Sequence, residues 1–236
     1  MIEELERIIN ESDNIVFFGG AGVSTESGIP DFRSQDGLYH MKYDYPPEEI
    51  LSDFFFYHHY DEFYKFYFDK LIYKDIKPNY THIFLKELED KGKLKAIVTQ
   101  NIDNLHELAG SKKIYHIHGT INTNHCVDCK KEYSLDDIIK MDNVRCTCGG
   151  MIKPDVVLYG EMLPDYDYTE GIKAISEADT LIVGGTSLTV YPAAGMVNYF
   201  KGKNLIIINR DHINANCTLQ INDSLGETFK KINIRS

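Results

Sequence analysis

Four of the five cysteines stand in two close pairs: Cys126 and Cys129 with two residues between them, then Cys146 and Cys148 flanking Thr147. Thiolates in two such knuckles fit a closed tetrahedral zinc site, which is structural because no coordination position remains for substrate or water. A redox disulfide and a catalytic thiol are the rival readings, and the pair spacing in a chain without an export signal favours zinc. The second pair is tighter than the common two-residue spacing, and Gly149-Gly150 offers the turn it needs. Cys217 stands alone and reads as a small buried hydrophobe.

Three further clusters could do chemistry. Gly19-Gly20-Ala21-Gly22-Val23-Ser24-Thr25 follows an apolar run and has the small residues that let backbone amides approach a pyrophosphate at a helix start. As a dehydrogenase fingerprint it is incomplete: Thr25 holds the last glycine position, and no strand-end acid follows about twenty residues later. A plain strand-to-helix turn remains its rival. Thr99-Gln100-Asn101-Ile102-Asp103 follows a second apolar run, where polar side chains either face a ligand crevice or cap the next helix. In Ile114-Tyr115-His116-Ile117-His118-Gly119 the alternation puts both histidines on one face of a short strand, and imidazole has the pKa of a general base near neutrality.

These residues need a scaffold. Runs rich in β-branched residues recur at Ile15–Phe18, Leu94–Val98, Val156–Tyr159, Leu181–Val183 and Leu205–Ile208, mostly separated by helix-length segments. The alternation predicts a doubly wound, parallel, Rossmann-like α/β sheet over 1–45, 78–121 and 154–236. A helical insertion over 46–77 and a zinc-binding module over 122–153 interrupt it and together form a smaller zinc-ribbon and helical lobe. Gly184-Gly185-Thr186-Ser187 and Asn209 end two of the late strands, where the adenosine half of a dinucleotide would reach, and Asn209 is placed to replace the missing acid. The tail from Leu225 reads as a short helix.

The chain has 236 residues, 43% hydrophobic and 26% charged, enough for a sizeable core. Twenty-five basic against thirty-six acidic residues leave a net charge of -11, the wrong sign for a general nucleic-acid binder. Met1–Asn14 is acidic and helical in pattern rather than basic then apolar, and no run approaches membrane-spanning length. A cytoplasmic protein with no membrane partner is expected; the oligomeric state stays open, monomer included.

The run Gly20-Ala21-Gly22-Val23-Ser24-Thr25-Glu26-Ser27-Gly28-Ile29-Pro30-Asp31-Phe32-Arg33 closely resembles the first signature of the sirtuin family. Further matches follow in family order: Thr99–Asp103 with Leu105-His106, His118-Gly119, the cysteine pairs, Val157–Glu161, Gly185–Leu188 with Pro192–Ala194, and Ile208-Asn209. The resemblance spans nearly the whole chain and implies an NAD-dependent protein-lysine deacylase with one structural zinc and acylated proteins or peptides as substrates. By similarity Gly20, Ala21, Gly22, Thr25 and Arg33 lie near the phosphates and Phe32 near nicotinamide. Gln100 and Asn101 contact the nicotinamide ribose, and Ile102 with Asp103 receives the carboxamide. Thr186 and Ser187 approach phosphate or ribose, Asn209 bonds the adenosine ribose, and Ser224 with Leu225 touches adenine. His118, immediately before the glycine, is the base, and His116 is not. Val156, Val157, Leu158, Tyr159 and Gly160 on one side and Val190 on the other resemble the segments that clamp a peptide by strand addition. The implied reaction has the acyl oxygen displacing nicotinamide at the ribose, His118 deprotonating the ribose hydroxyls, and water releasing lysine and O-acyl-ADP-ribose.

Rival functions are a mono-ADP-ribosyltransferase on the same scaffold, an NAD sensor, and a zinc-ribbon adaptor for nucleic acid. The mixed charges Lys130, Lys131, Asp136 and Asp137 argue against the adaptor. Sirtuins that prefer acidic acyl groups carry a Tyr-x-x-Arg pair ahead of a Pro-Asn-x-x-His segment. Counting back from Pro78 puts Tyr64 at the tyrosine and Tyr67 at the arginine, so the fork for an acyl carboxylate is missing. The aromatic run Phe54–Phe68 reads mostly as helix core, with part available to wall an apolar acyl channel. Acetyl or a longer apolar acyl is expected to be preferred, which kcat/KM for acetyl, succinyl and myristoyl versions of one peptide checks; a clear succinyl preference contradicts it.

Overall fold

The computed structural model describes residues 1–31, 37, 45–73 and 75–235. In chain order its elements are α1 (Ile2–Glu11), β1 (Ile15–Gly19), α2 (Pro47–Ile50), α3 (Asp53–His58), α4 (Tyr60–Lys70), α5 (Tyr80–Asp90), β2 (Leu94–Thr99), α6 (Leu105–Leu108) and β3 (Ile114–His116). There follow β4 (Gly119–Cys126), β5 (Glu132–Ser134), α7 (Leu135–Ile139), β6 (Ile152–Val156), α8 (Asp165–Glu177), β7 (Thr180–Gly184), β8 (Asn204–Ile208), β9 (Leu219–Ile221) and α9 (Leu225–Phe229).

Six strands form one parallel sheet in the order β3-β2-β1-β7-β8-β9. Both faces are covered, as a parallel sheet requires, and the alternation of each strand divides its residues between two cores. Ile15, Phe17, Ile97, Ile182, Ile206 and Ile208 face a layer that includes Leu5 and Ile8 of α1, Phe84 and Leu88 of α5, and Phe229 of α9. Val16, Phe18, Val98, Leu181, Val183 and Ile207 face the other way, onto Ile175 of α8 and Met196 of a 3-10 helix over Ala193–Tyr199. Cys217, expected to be buried, is only partly so at the edge of this second core.

The chain builds outward from β1 through β2 to β3, then returns to lay β7 on the opposite side of β1. The carboxyl ends of β1 and β7 therefore flank a topological switch point, where ligands of open α/β sheets bind.

A second, antiparallel sheet of order β5-β4-β6 carries the cysteines. The run Val156–Tyr159, expected among the parallel strands, departs from that reading. Val156 ends β6, and Val156 and Leu158 are buried in the third core, formed by α2–α4 and the cysteine module. That core holds Phe55, Phe56, Tyr60, Phe63, Tyr64, Phe66 and Tyr67. Tyr60 Oη donates toward Val144 O at 2.6 Å and Tyr64 Oη toward Ile152 O at 2.7 Å, bolting the helices to the antiparallel sheet. Most of the aromatic run is thus lobe core, while Phe54 and Tyr57 are exposed.

Phe229, fully buried, stacks on Phe84 with centroids 4.4 Å apart. Phe229→Ala should cost about 3–5 kcal/mol by leaving a cavity there; a denaturant midpoint close to wild type would show that α9 is not anchored by this ring.

Candidate functional site

The glycine loop adapts to the switch point by contact between main chains. Gly20 N–H donates to Gly184 O at 3.1 Å and Gly22 N–H to Gly185 O at 2.8 Å. A Cβ on Gly22 would lie 2.8 Å from Gly185 Cα, and Gly185 itself sits at φ +61°, in the left-handed region. Thr25 does not complete a dehydrogenase loop; its hydroxyl instead donates to Gly22 O at 3.0 Å inside a short 3-10 turn.

Around this junction opens a cleft of ≈ 560 Å³. Gly20, Ala21, Gly22, Thr25, Gln100, Asn101, Ile102, Asp103 and His118 line it, as do Val156–Gly160, Thr186, Ser187, Val190, Asn209, Ser224 and Leu225. Residues from opposite ends of the chain thereby share one wall-to-wall space. Phe32 and Arg33 lie outside the described residues. From the α4 end the described lining includes Lys70, Leu71 and Tyr73, and none of residues 54–68, so the expected aromatic channel wall is not where the aromatics went. Tyr67, at the position expected to meet the acyl group, is fully buried in the lobe core.

The loop after β2 is held from three directions. Gln100 N–H donates to Gly19 O at 2.9 Å, and its side-chain amide donates to Thr186 Oγ1 at 3.0 Å, spanning the β1 end to reach the β7 loop. Ser24, to which no motif assigns a role, is 1% exposed and joins Asp103 to Asn101. Its hydroxyl donates to Asp103 Oδ2 at 2.8 Å while Asn101 Nδ2 donates to Ser24 Oγ at 3.0 Å. The N-cap position of α6 is Asn104 rather than Asn101 or Asp103, and Asp103, one residue ahead of it, accepts at Oδ1 from Leu105 N–H at 3.0 Å. Burial pushes the Asp103 carboxyl up from its ordinary value, against the Leu105 and Ser24 hydrogen bonds that pull it down.

His118 lies just past β3, its Nδ1 3.0 Å from Gln100 O. A carbonyl only accepts, so Nδ1 carries the proton and Nε2 is left as the acceptor. Burial lowers the His118 pKa, opposed by that hydrogen bond. His116 has different surroundings: Nε2 meets Glu107 Oε1 at 2.7 Å, and the residue does not line the cleft. Burial lowers its pKa too, but the Glu107 hydrogen bond and charge more than reverse this.

At the ends of β7 and β8, Asn209 Nδ2 donates to Asp211 O at 3.0 Å and Ser187 shares a hydrogen bond with Thr189 at 2.7 Å. Glu26, another residue without an assigned role in the sequence analysis, joins the first loop to α9: it accepts from Ser224 Oγ at 3.2 Å and Gly226 N–H at 2.8 Å. Its motif position was the only signal available.

The four cysteine sulfurs lie within 4.8 Å of one another, with Cys126–Cys148 and Cys129–Cys146 both at 3.5 Å. A tetrahedron with metal–sulfur bonds of about 2.3 Å has edges of about 3.8 Å, so this donor set fits zinc. Gly149 at φ +91° turns the tight second knuckle, and a Cβ on Gly150 would lie 2.9 Å from Cys126 Sγ. The Tyr133 hydroxyl donates to Cys146 Sγ at 3.1 Å, an outer support for the ligand set. The purified protein should carry about one zinc per chain and lose thermal stability, and activity with it, on exposure to a strong chelator. Full stability in a verified zinc-free preparation would contradict a structural role.

The family model of the Sir2 family matches residues 20–192. A protein of Clostridium acetobutylicum named NAD-dependent protein deacetylase is 55% identical over 98% of this chain and 97% of its own length. One of the same name from Clostridium perfringens is also 55% identical, over 98% of both. Among solved structures, a Sir2 variant with deacetylated p53 peptide and 3′-O-acetyl ADP ribose superposes with TM-score 0.90 at 38% identity, covering 98% of this chain and 96% of that one. A Sir2 structure with p53 peptide and NAD+ gives 0.88 at 37%, with the same coverage. With a model match over most of its length and relatives of this identity along nearly all of it, the chain belongs to the Sir2 family, the sirtuins.

Proposed function

We propose that this chain is an NAD-dependent protein-lysine deacylase that releases nicotinamide and forms free lysine and O-acyl-ADP-ribose. The observation that carries the reading is the imidazole of His118, fixed by its Nδ1 contact so that Nε2 is the base, in the same cleft as the Asn101–Asp103 loop and the extended segment Val156–Gly160. The division into a Rossmann-like unit and a smaller lobe, and a cytoplasmic setting, are part of the same proposal. Among the described residues no helix is long and apolar enough to cross a membrane.

NAD, when bound, supplies an electrophilic ribose carbon bearing nicotinamide as the leaving group. The chain's own groups have separable tasks. Gly20, Ala21 and Gly22 let backbone amides approach phosphate without side-chain obstruction. Asp103 retains acceptor capacity for a carboxamide NH₂ beyond its Leu105 and Ser24 bonds. Asn101, oriented by Ser24, holds the ribose side. Thr186, Ser187 and Asn209 take the adenosine half, with Ser224 and Leu225 at adenine. Val157 and its neighbours offer main chain for strand addition by the acylated peptide, faced by Val190. His118 Nε2 accepts a proton from a ribose hydroxyl, and the Gln100 carbonyl steadies the imidazolium that results. The cysteines hold zinc away from these events.

His118→Ala should lower kcat about 10²–10⁴-fold with the fold intact, since a positioned base contributes that much. Because burial disfavours the charged imidazolium, His118 stays neutral to lower pH than an ordinary histidine. The acid limb of kcat/KM should therefore lie at lower pH than the titration of an ordinary histidine. Acetyl-peptide turnover with NAD, followed by nicotinamide release and product analysis, tests both. Near wild-type turnover in the variant would refute the base assignment, and nicotinamide release without O-acyl-ADP-ribose would refute deacylation.

A further inference from the structure

The substrate segment Val156–Gly160 has one edge committed to main chain. Val157 N–H donates to His118 O and Tyr159 N–H to Leu51 O, both at 2.9 Å, and Asp53 N–H donates to Tyr159 O at 3.0 Å. Neighbouring residues of an extended chain turn their N–H and C=O groups to opposite edges, so Val156 and Leu158 present theirs on the other side. Two charged side chains stand there. Glu161 Oε2 accepts from Leu158 N–H at 2.8 Å, Lys153 Nζ donates to Val156 O at 3.0 Å, and the two charges meet at 3.0 Å. The main chain then closes the turn, with Glu161 N–H donating to Leu158 O at 3.0 Å and Gly160 at φ +98°.

The pair brackets the segment, Lys153 preceding it on β6 and Glu161 following it. With side chains only 18% and 27% exposed, the pair is partly withdrawn from water, and its hydrogen bonds to backbone are charge-assisted. An ordinary surface ion pair would add little stability and would not also bond two main-chain groups of one segment. Here the charges hold Val156 O and Leu158 N–H, on either side of the Val157 N–H that meets His118 O.

We propose that Lys153 and Glu161 are positioning residues that pre-form Val156–Gly160 for the acyl-lysine peptide, acting through the backbone of Val156 and Leu158. The idea rests on the deacylase reading for what binds there. Its physical basis is that a segment already ordered loses less freedom when a peptide docks on it, so removal of the strut weakens peptide binding and leaves the nucleotide side untouched.

The test measures binding directly, with a fluorescent acetyl-lysine peptide and, separately, NAD, alongside turnover and thermal melting. Lys153→Met and Glu161→Ala should each weaken peptide binding about tenfold and leave the NAD Kd within about twofold. The double variant should be little worse than the worse single, because each change breaks the same unit. Lys153→Arg, which keeps charge and donors, should restore peptide affinity. Unchanged peptide binding in both single variants overturns the proposal, as does equal weakening of peptide and NAD binding together with a large loss in Tm, which would mark a general structural role. Because the peptide Kd is read without turnover, a wild-type protein that binds peptide and forms no O-acyl-ADP-ribose would sink the deacylase reading and leave the strut standing.

Discussion

The meeting of the β1 and β7 ends through bare backbone is the constraint on which the rest depends. Gly20 and Gly22 hydrogen-bond to Gly184 and Gly185 at a distance where a Cβ on Gly22 would collide with Gly185 main chain. This contact fixes the separation of the two strand ends at the switch point. From it follow the reach of Gln100 to Thr186 and the opening of a cleft between the first loop and the late strands. Adding a side chain here would separate the walls that every other site residue is built upon.

Within the cleft, buried polar groups keep one another ordered. Ser24 is the hub, accepting from Asn101 and donating to Asp103, and the Gln100 carbonyl selects the tautomer of His118. Such a network is useful in a low-dielectric crevice only when its members are satisfied, and these three links leave acceptor capacity on Asp103 and His118, both of which line the cleft. His116 shows the contrast. Two residues away, tied to Glu107 outside the cleft, it has its pKa moved in the opposite direction from His118.

The smaller lobe bears on chemistry indirectly. Its core is a stack of tyrosines and phenylalanines whose hydroxyls reach β6 and the segment before it, while the cysteine cluster fixes the far end of the same sheet. Strand β6 then runs out as the extended segment Val156–Gly160, and Val157 N–H meets the carbonyl of His118. Cysteine cluster, aromatic core and His118 are thus joined through this stretch of chain.

The sequence by itself determined the parallel α/β class, the glycine junction, the cysteine quartet and the family, because these are local: periodicity, small residues in a row, ligand spacing and contiguous motifs. Tertiary structure decided what depends on partners far along the chain. Val156–Tyr159 has the composition of a sheet strand, yet β4 and the aromatic core draw it into the small lobe. Phe54–Phe68 has a helix's apolar spacing, and only packing shows that most of those rings fill the lobe while Lys70 and Leu71 reach the cleft. The links Ser24–Asp103, Glu26–Gly226 and Thr186–Gln100 join residues distant in sequence, and no periodicity or spacing encodes which hydroxyl will meet which carboxylate. Side-chain hydrogen bonds are short and directional, so they become legible only after the backbone has brought their ends together.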